Sequence, residues 1–140
     1  MVLELKKMSR DDWDFILKLR NKKEYRSFFI QQHTISEKEH YQYMTQEEKN
    51  PNYSCWIILK DFIKIGYIRI LENDVSIAIE NKYHGKGYGA NALLLLEKEA
   101  KKMGLTKLVG RVMIHNESSK KIFLNNDFKL KLYWYEKDLK

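Results

Sequence analysis

Three of the chain's six glycines fall within six positions, His84-Gly85-Lys86-Gly87-Tyr88-Gly89, with Ala90 following. Glycine adopts positive φ at little cost and lets backbone approach a ligand where a Cβ would obstruct it. The flanking pattern predicts a strand ending near Glu80 and a helix beginning near Tyr88. Successive N–H groups at a helix N-terminus form a concave anion site, reinforced by the helix dipole, and a pyrophosphate fits that chemistry. Two other phosphate loops fit less well. No Gly-Lys-Ser/Thr ending follows Gly85, as a P-loop requires. Gly-x-Gly-x-x-Gly fails at Ala90, and its alanine variant belongs to the first strand–helix unit of a parallel sheet, whereas three antiparallel strand patterns come first here. A glycine-rich turn without a ligand is the bland alternative.

Groups able to move a proton lie along the preceding strand patterns: Glu72, Asp74, Ser76 and Glu80. Strand carboxylates are more often solvated surface groups, so none is singled out by position alone. Asn116 reads as a helix N-cap whose amide could also bind a ligand. Cys55, the only cysteine, sits in an apolar strand and reads as an inert core thiol. A single cysteine excludes an internal disulfide framework and a thiolate-built zinc site, and no metal is expected.

The elements that must position these residues follow from periodicity. Residues 2–8 read as a short strand. Ser9-Arg10-Asp11-Asp12 then caps a helix carrying Trp13, Ile16, Leu17 and Leu19 to about Arg20. Residues 21–34 have no clear period and predict loop plus a helical turn. Ser36 and Glu39 form a capping box for a helix to about Glu48, closed by Asn50-Pro51-Asn52. Tyr53–Lys60, Ile63–Leu71 and residues 75–80 predict an antiparallel meander with an Asp61-Phe62 turn. A helix over 90–103 aligns Leu93, Leu96, Ala100 and Met103 and ends at Gly104. A strand over 107–115 completes a β–loop–helix–β unit, which implies a parallel pair with a right-handed crossover. Asn116 opens a short helix bearing Ile122 and Phe123, and residues 128–139 should return as one or two strands. Trp13, Trp56 and Phe62 read as core. The fold class is α+β: a mixed central sheet, antiparallel in its first half and parallel around the loop–helix, with helices on both faces.

Composition narrows the function classes. Lys+Arg number 26 against 19 Asp+Glu, a formal charge of +7, and 44% of residues are apolar, enough for a real core in one domain spanning 1–140. No pure apolar run is longer than that of residues 92–96, far too short to cross a bilayer, so no membrane partner is expected. The opening residues lack a signal's apolar region, which makes a cytoplasmic location the default. The positive excess is spread along the chain and is mostly lysine, with no arginine cluster. Nucleic acid is therefore not the expected primary partner, although the field would attract an anionic nucleotide.

Taken in order, these residues resemble the GNAT superfamily of acyl-CoA-dependent N-acyltransferases. The family's Arg/Gln-x-x-Gly-x-Gly/Ala pattern is matched by His84-Gly85-Lys86-Gly87-Tyr88-Gly89, with His84 departing at the first position. The resemblance implies that backbone N–H groups of Lys86 through Ala90 hold the CoA pyrophosphate. It also implies that the strand near Ile77 to Ile79 pairs with the pantetheine arm as an added strand would. Asn116 resembles the asparagine that follows the next strand and bonds pantetheine amides. Asn125-Asn126-Asp127-Phe128 ends that block, with Asp127 in place of glycine at a left-handed position. Phe123 stands in the cofactor site where many relatives carry a tyrosine that protonates the leaving thiolate, so Tyr133, Tyr135 or water would take that role. Arg20-Asn21, Tyr25-Arg26-Ser27, Ile35-Ser36 and His40 resemble a pattern of two GNAT branches. These are the sugar-nucleotide amine N-acetyltransferases of the pseudaminic acid pathway and the ribosomal-protein N-terminal-amine acetyltransferases.

The resemblance thus implies transfer of acetyl from acetyl-CoA, as co-substrate, to a small-molecule amine by direct attack. Ser76 and Tyr133 are the implied catalytic groups, and Tyr25, Arg26, Phe29, His40 and Glu72 the acceptor side. A nucleotide-linked amino sugar is the preferred acceptor and a protein N-terminal amine the alternative. A non-catalytic CoA-binding module and a homodimer stay open.

Overall fold

The computed structural model describes residues 3–26 and 33–139. Among these, five strands form one sheet in the order β1-β2-β3-β4-β5. β1 (Leu3–Lys7), β2 (Tyr53–Lys60), β3 (Ile63–Leu71) and β4 (Asp74–Ile79) pair antiparallel, and β5 (Val109–Gly110) lies parallel to β4. Lys60 pairs with Ile63 across a two-residue turn in which Asp61 and Phe62 have φ of 48° and 71°. Positive φ at both positions gives the turn whose twist matches a hairpin. It also throws Phe62 off the end of the sheet, 82% exposed, rather than into the core as the sequence suggested.

Period-2 alternation divides the sheet into two buried faces. Trp56, Ile58, Ile68, Ile70, Val75 and Ile79 pack with Ala92, Leu93 and Leu96 of α4 (Tyr88–Lys102). Cys55, Ile57, Tyr67 and Ala78 pack on the other side with α1 (Trp13–Asn21) and α3 (Glu37–Glu48), through Trp13, Ile16, Leu19 and Met44. α2 (Lys23–Arg26) is one helical turn, and α5 (Glu117–Asn125) follows β5. Asp12 pins the start of α1 to the sheet: its carboxylate meets Lys6 Nζ of β1 at 2.8 Å, Lys64 Nζ of β3 at 2.6 Å and the Ser9 N–H at 2.9 Å. Burial pushes this carboxyl up, but the two ammonium groups and the N–H outweigh it and hold it at about 2. Ser36 caps α3, its Oγ accepting the Glu39 N–H at 3.1 Å, and the Glu39 carboxylate reaches back to the Ser36 hydroxyl at 3.2 Å rather than to its N–H.

α4 and α5 end in the same motif. Leu105 N–H bonds Ala100 C=O and Gly104 N–H bonds Lys101 C=O, with Gly104 at φ 82°. Likewise Phe128 N–H bonds Phe123 C=O and Asp127 N–H bonds Leu124 C=O, with Asp127 at φ 66°. This reciprocal pair of bonds around a left-handed residue satisfies the orphan carbonyls of a helix end. It corrects the expectation for Met103, which occupies the cap of α4 and is exposed, while Leu105 turns back onto the core.

Two further expectations need correction. The strand over 107–115 reduces to Val109–Gly110, because the chain leaves β4 after two paired residues. Residues 128–139 form no strand, and Leu130, Leu132, Tyr133, Trp134 and Tyr135 are exposed. Their alternation expresses β-propensity, which is realised only against a partner strand, and β5 presents too short an edge to supply one.

Candidate active site

β4 is paired with β3 throughout but with β5 only at Asp74 and Val75. In an antiparallel pair, residues with outward-facing backbone groups alternate with those bonded to the neighbour. Glu80 N–H donates to Ile65 C=O, and the Asn73 C=O accepts from Val109 N–H on the opposite side. By that alternation Val75, Ile77 and Ile79 present N–H and C=O toward β5. Val75 is met by Gly110, but β5 has departed by Ile77 and Ile79, so their backbone lies along an open edge. This edge borders a cleft of about 970 Å³.

The glycine loop closes one end of the cleft. Gly85 and Gly87 have φ of 74° and 82°, and a Cβ built at either would meet nothing within 4 Å, so both face open space. Gly87 caps α4, whose first helical bond runs from Asn91 N–H to Gly87 C=O. The N–H groups of Tyr88, Gly89 and Ala90 therefore precede the helical ladder, as an anion site requires. Tyr88 is itself a core residue, and Lys86 is exposed on the loop. His84 anchors the loop to the strand: its Nε2–H donates to the Ile79 carbonyl at 2.7 Å, and its ring stands 6.1 Å from that of Tyr25. A histidine at this position thus occupies one acceptor on the open edge.

α5 forms a wall. Asn116 caps it, its Oδ1 accepting the Ser119 N–H at 3.2 Å, and also borders the cleft. Phe123 packs edge-on to Phe128 at 4.9 Å between ring centroids. A Cβ on Gly110 would fall 2.6–2.9 Å from the Phe123 ring, so glycine there is what lets this ring lie over the point where β4 and β5 part.

The other end is polar. Ser76 of β4 stands opposite Arg69 of β3, on the face beneath α1. Arg69 Nη1 donates to the Asp74 carbonyl at 3.1 Å and carboxylate at 3.3 Å, and Arg111 Nε donates to the second carboxylate oxygen at 3.1 Å. Asp74 is therefore committed to two guanidinium groups rather than poised as a base. Arg20 and Tyr25 border the same region from α1 and α2. Sequence reasoning missed Arg69 and Arg111; the available signal was a charge near the end of the apolar run over residues 65–71, on a strand buried on both faces.

Several expected site residues lie elsewhere. His40 is buried between α3 and α1, its Nε2–H donating to the Trp13 carbonyl at 2.9 Å, and burial pushes its pKa down. It borders a separate cavity of about 310 Å³ with Trp13 and Tyr41. Glu72 is exposed in the β3–β4 turn at φ 60°, and Tyr133 is exposed and away from the cleft. Arg26 hydrogen-bonds Thr34, and Asn21 exchanges two bonds with the Ile35 backbone at 2.7 and 2.9 Å. These residues latch the ends of the connection between α1 and α3. Ser27, Phe28 and Phe29 lie outside the described residues. Cys55 is buried, which pushes its thiol up to about 12, in keeping with a core role. Among the described residues no cluster of three metal-ligating side chains forms, and no helix is long and apolar enough to cross a membrane.

Known proteins share this fold. The model of the acetyltransferase (GNAT) domain matches residues 3–129. An uncharacterized N-acetyltransferase of Bacillus subtilis, YycN, is 39% identical over 46 residues, which span 33% of this chain and 30% of that protein. The spermidine N-acetyltransferase of Vibrio cholerae, solved with CoA and spermine, superposes with a TM-score of 0.87 at 18% identity, covering 98% of this chain and 86% of that one. RimL, a ribosomal L7/L12 α-N-protein acetyltransferase solved with CoA, gives 0.79 at 15% identity, covering 94% and 82%.

Proposed function

Because this chain belongs to the GNAT acetyltransferase domain family, we propose that it moves an acetyl group from acetyl-CoA directly to a primary amine. The observation that carries the reading is the junction of an open β4 edge with a loop whose two left-handed glycines face empty space. The N–H groups of Lys86 through Ala90 take the pyrophosphate at the head of α4. The backbone of Ile77 and the N–H of Ile79 pair with the pantetheine arm, with the Asn116 amide beside it. The same edge aims N–H groups at the place where the thioester oxygen gains charge.

The acceptor nitrogen attacks the thioester carbon, the C–S bond breaks, the amide forms, and the ammonium proton passes through water to the departing thiolate. Phe123 supplies no proton. The thiol's ordinary pKa of about 8.5 makes that tolerable, because the thiolate is stable enough to depart before water delivers the proton. Holding the amine in line with the thioester then provides most of the rate gain. The preferred acceptor is the amino group of a nucleotide-linked amino sugar. Its support is the pattern of Arg20, Asn21, Tyr25, Arg26 and His40, whose members latch and flank the α1–α3 connection.

Calorimetry with acetyl-CoA, followed by CoA release with amino-sugar nucleotides, free amino sugars and N-terminal peptides, tests this reading. Heat with acetyl-CoA and turnover fastest with the sugar nucleotide are expected. Turnover only with peptides moves the acceptor to a protein N-terminus. Heat without turnover on any amine makes the chain a CoA-binding module.

A further inference from the structure

Acetyl transfer to an amine needs a proton acceptor, because an amine with a pKa of about 8 is mostly ammonium at neutral pH and has no lone pair to attack with. The carboxylates do not supply one. Asp74 is held by Arg69 and Arg111, and Glu117 pairs with Lys120 at 3.0 Å. Glu72 and Glu80 do not border the cleft. Two histidines do: His115 comes from the α5 wall, whereas His84 is bonded to the open edge of β4 itself.

That bond decides which ring nitrogen can act. A carbonyl only accepts, so Nε2 carries the hydrogen it donates to the Ile79 oxygen at 2.7 Å. In the neutral ring the lone pair then lies on Nδ1, which has no hydrogen-bond partner among the described residues. A base fixed through its other nitrogen by a third group is the arrangement that proton-transfer sites use. The titratable side chains of the surrounding segments are Tyr25 of α2, whose ring lies 6.1 Å away, Arg20 of α1, Glu80 beyond β4, and Tyr83 and Lys86 of the loop. Among the described residues none of them forms an ion pair with the imidazole. Along β4, Ile77 lies about 7 Å from Ile79. A group reacting on that stretch of edge is therefore within reach of the ring through one water.

We infer that His84 is the general base of the reaction, taking the first proton from the acceptor ammonium through one water onto Nδ1. The inference rests on the transferase reading above and adds the route of that proton. Loss of the proton leaves a lone pair on nitrogen, which attacks the thioester carbon as the C–S bond breaks. The proton that the new C–N bond leaves on nitrogen goes to the thiolate as described. The imidazolium returns its own proton to solvent, so one proton is released for each acetyl group transferred.

The test is His84→Gln, whose amide N–H can still donate to the Ile79 carbonyl but whose side chain takes up no proton. CoA release is followed at saturating acetyl-CoA, from pH 7 to 9, with the fastest of glucosamine, Ala-Ala amide and a nucleotide-linked amino sugar. At pH 7 kcat should fall about a hundredfold, with the calorimetric Kd for acetyl-CoA near that of the unaltered protein. The deficit should shrink about tenfold by pH 9, because the free fraction of an amine with pKa about 8 rises from about a tenth to about nine-tenths. A loop merely displaced by the substitution would raise Kd and lower turnover equally at both pH values. A kcat unchanged at pH 7, or a deficit of the same size at pH 7 and 9, overturns the inference while leaving the transferase reading in place. No turnover by the unaltered protein with any of the three amines is a different result: it overturns the transferase reading and the base assignment with it.

Discussion

At the scale of single residues, two glycines with the same conformation separate a binding role from a folding role. Gly87 and Gly104 both have φ of 82°, and a Cβ on either meets nothing within 4 Å. Alanine at either position should cost about 1 kcal/mol of stability, from left-handed strain alone. Only Gly87→Ala should also weaken acetyl-CoA binding, by about tenfold or more in a calorimetric titration, since its new methyl enters the loop's open face. A Kd unchanged in Gly87→Ala would remove the loop from the cofactor site. The glycine cluster was legible in the sequence because chirality makes positive φ nearly glycine's own. The role of His84 was not: its bond to the Ile79 carbonyl joins two segments whose approach no local pattern encodes. The setting of His40 was hidden for a related reason: spacing placed it on α3 correctly but could not reveal that its ring turns toward the Trp13 carbonyl.

At the scale of elements, the floor and wall of the cleft depend on one packing contact. Gly110 of β5 accepts the ring of Phe123 from α5, and the left-handed Asp127 folds Phe128 back onto the same ring. Gly110→Ala pushes a methyl into that ring and should cost about 1–3 kcal/mol by overpacking. Combining it with Phe123→Leu should cost less than the sum of the two single changes, as urea unfolding of the four proteins will measure. Additive costs would mean that the ring has other room. Helix and strand assignments from periodicity held wherever a segment had a buried face on each turn or alternate residue, as in α4 and β2. They failed for residues 107–115 and 128–139, which alternate as strands do but find little or no partner edge.

At the scale of the whole molecule, two buried titratable groups shape the response to pH. Burial lowers the pKa of His40 below its ordinary 6.5, so the unfolded chain binds a proton that the fold refuses. Stability should therefore fall as pH drops below about 6.5. Asp12, held at about 2 against an ordinary 3.8, adds on the order of 2 kcal/mol that is present above pH 4 and lost toward pH 2. Urea midpoints across pH should show both declines, and His40→Gln should abolish the upper while sparing the lower; an upper decline that survives in His40→Gln belongs to another group. Sequence alone determined what is local: the glycine loop, the caps at Ser36 and Asn116, the left-handed Asp127, the meander and the crossover helix. These follow from dihedral limits and from periodicity, which act over a few residues. Tertiary structure alone decided where β5 leaves β4, and so where an edge is open. It also decided which charges share the cleft, with Arg69, Asp74 and Arg111 converging there from β3, β4 and the segment after β5. Pairing registers and charge balances are sums over segments distant in sequence, and they exist only once packing has brought those segments together.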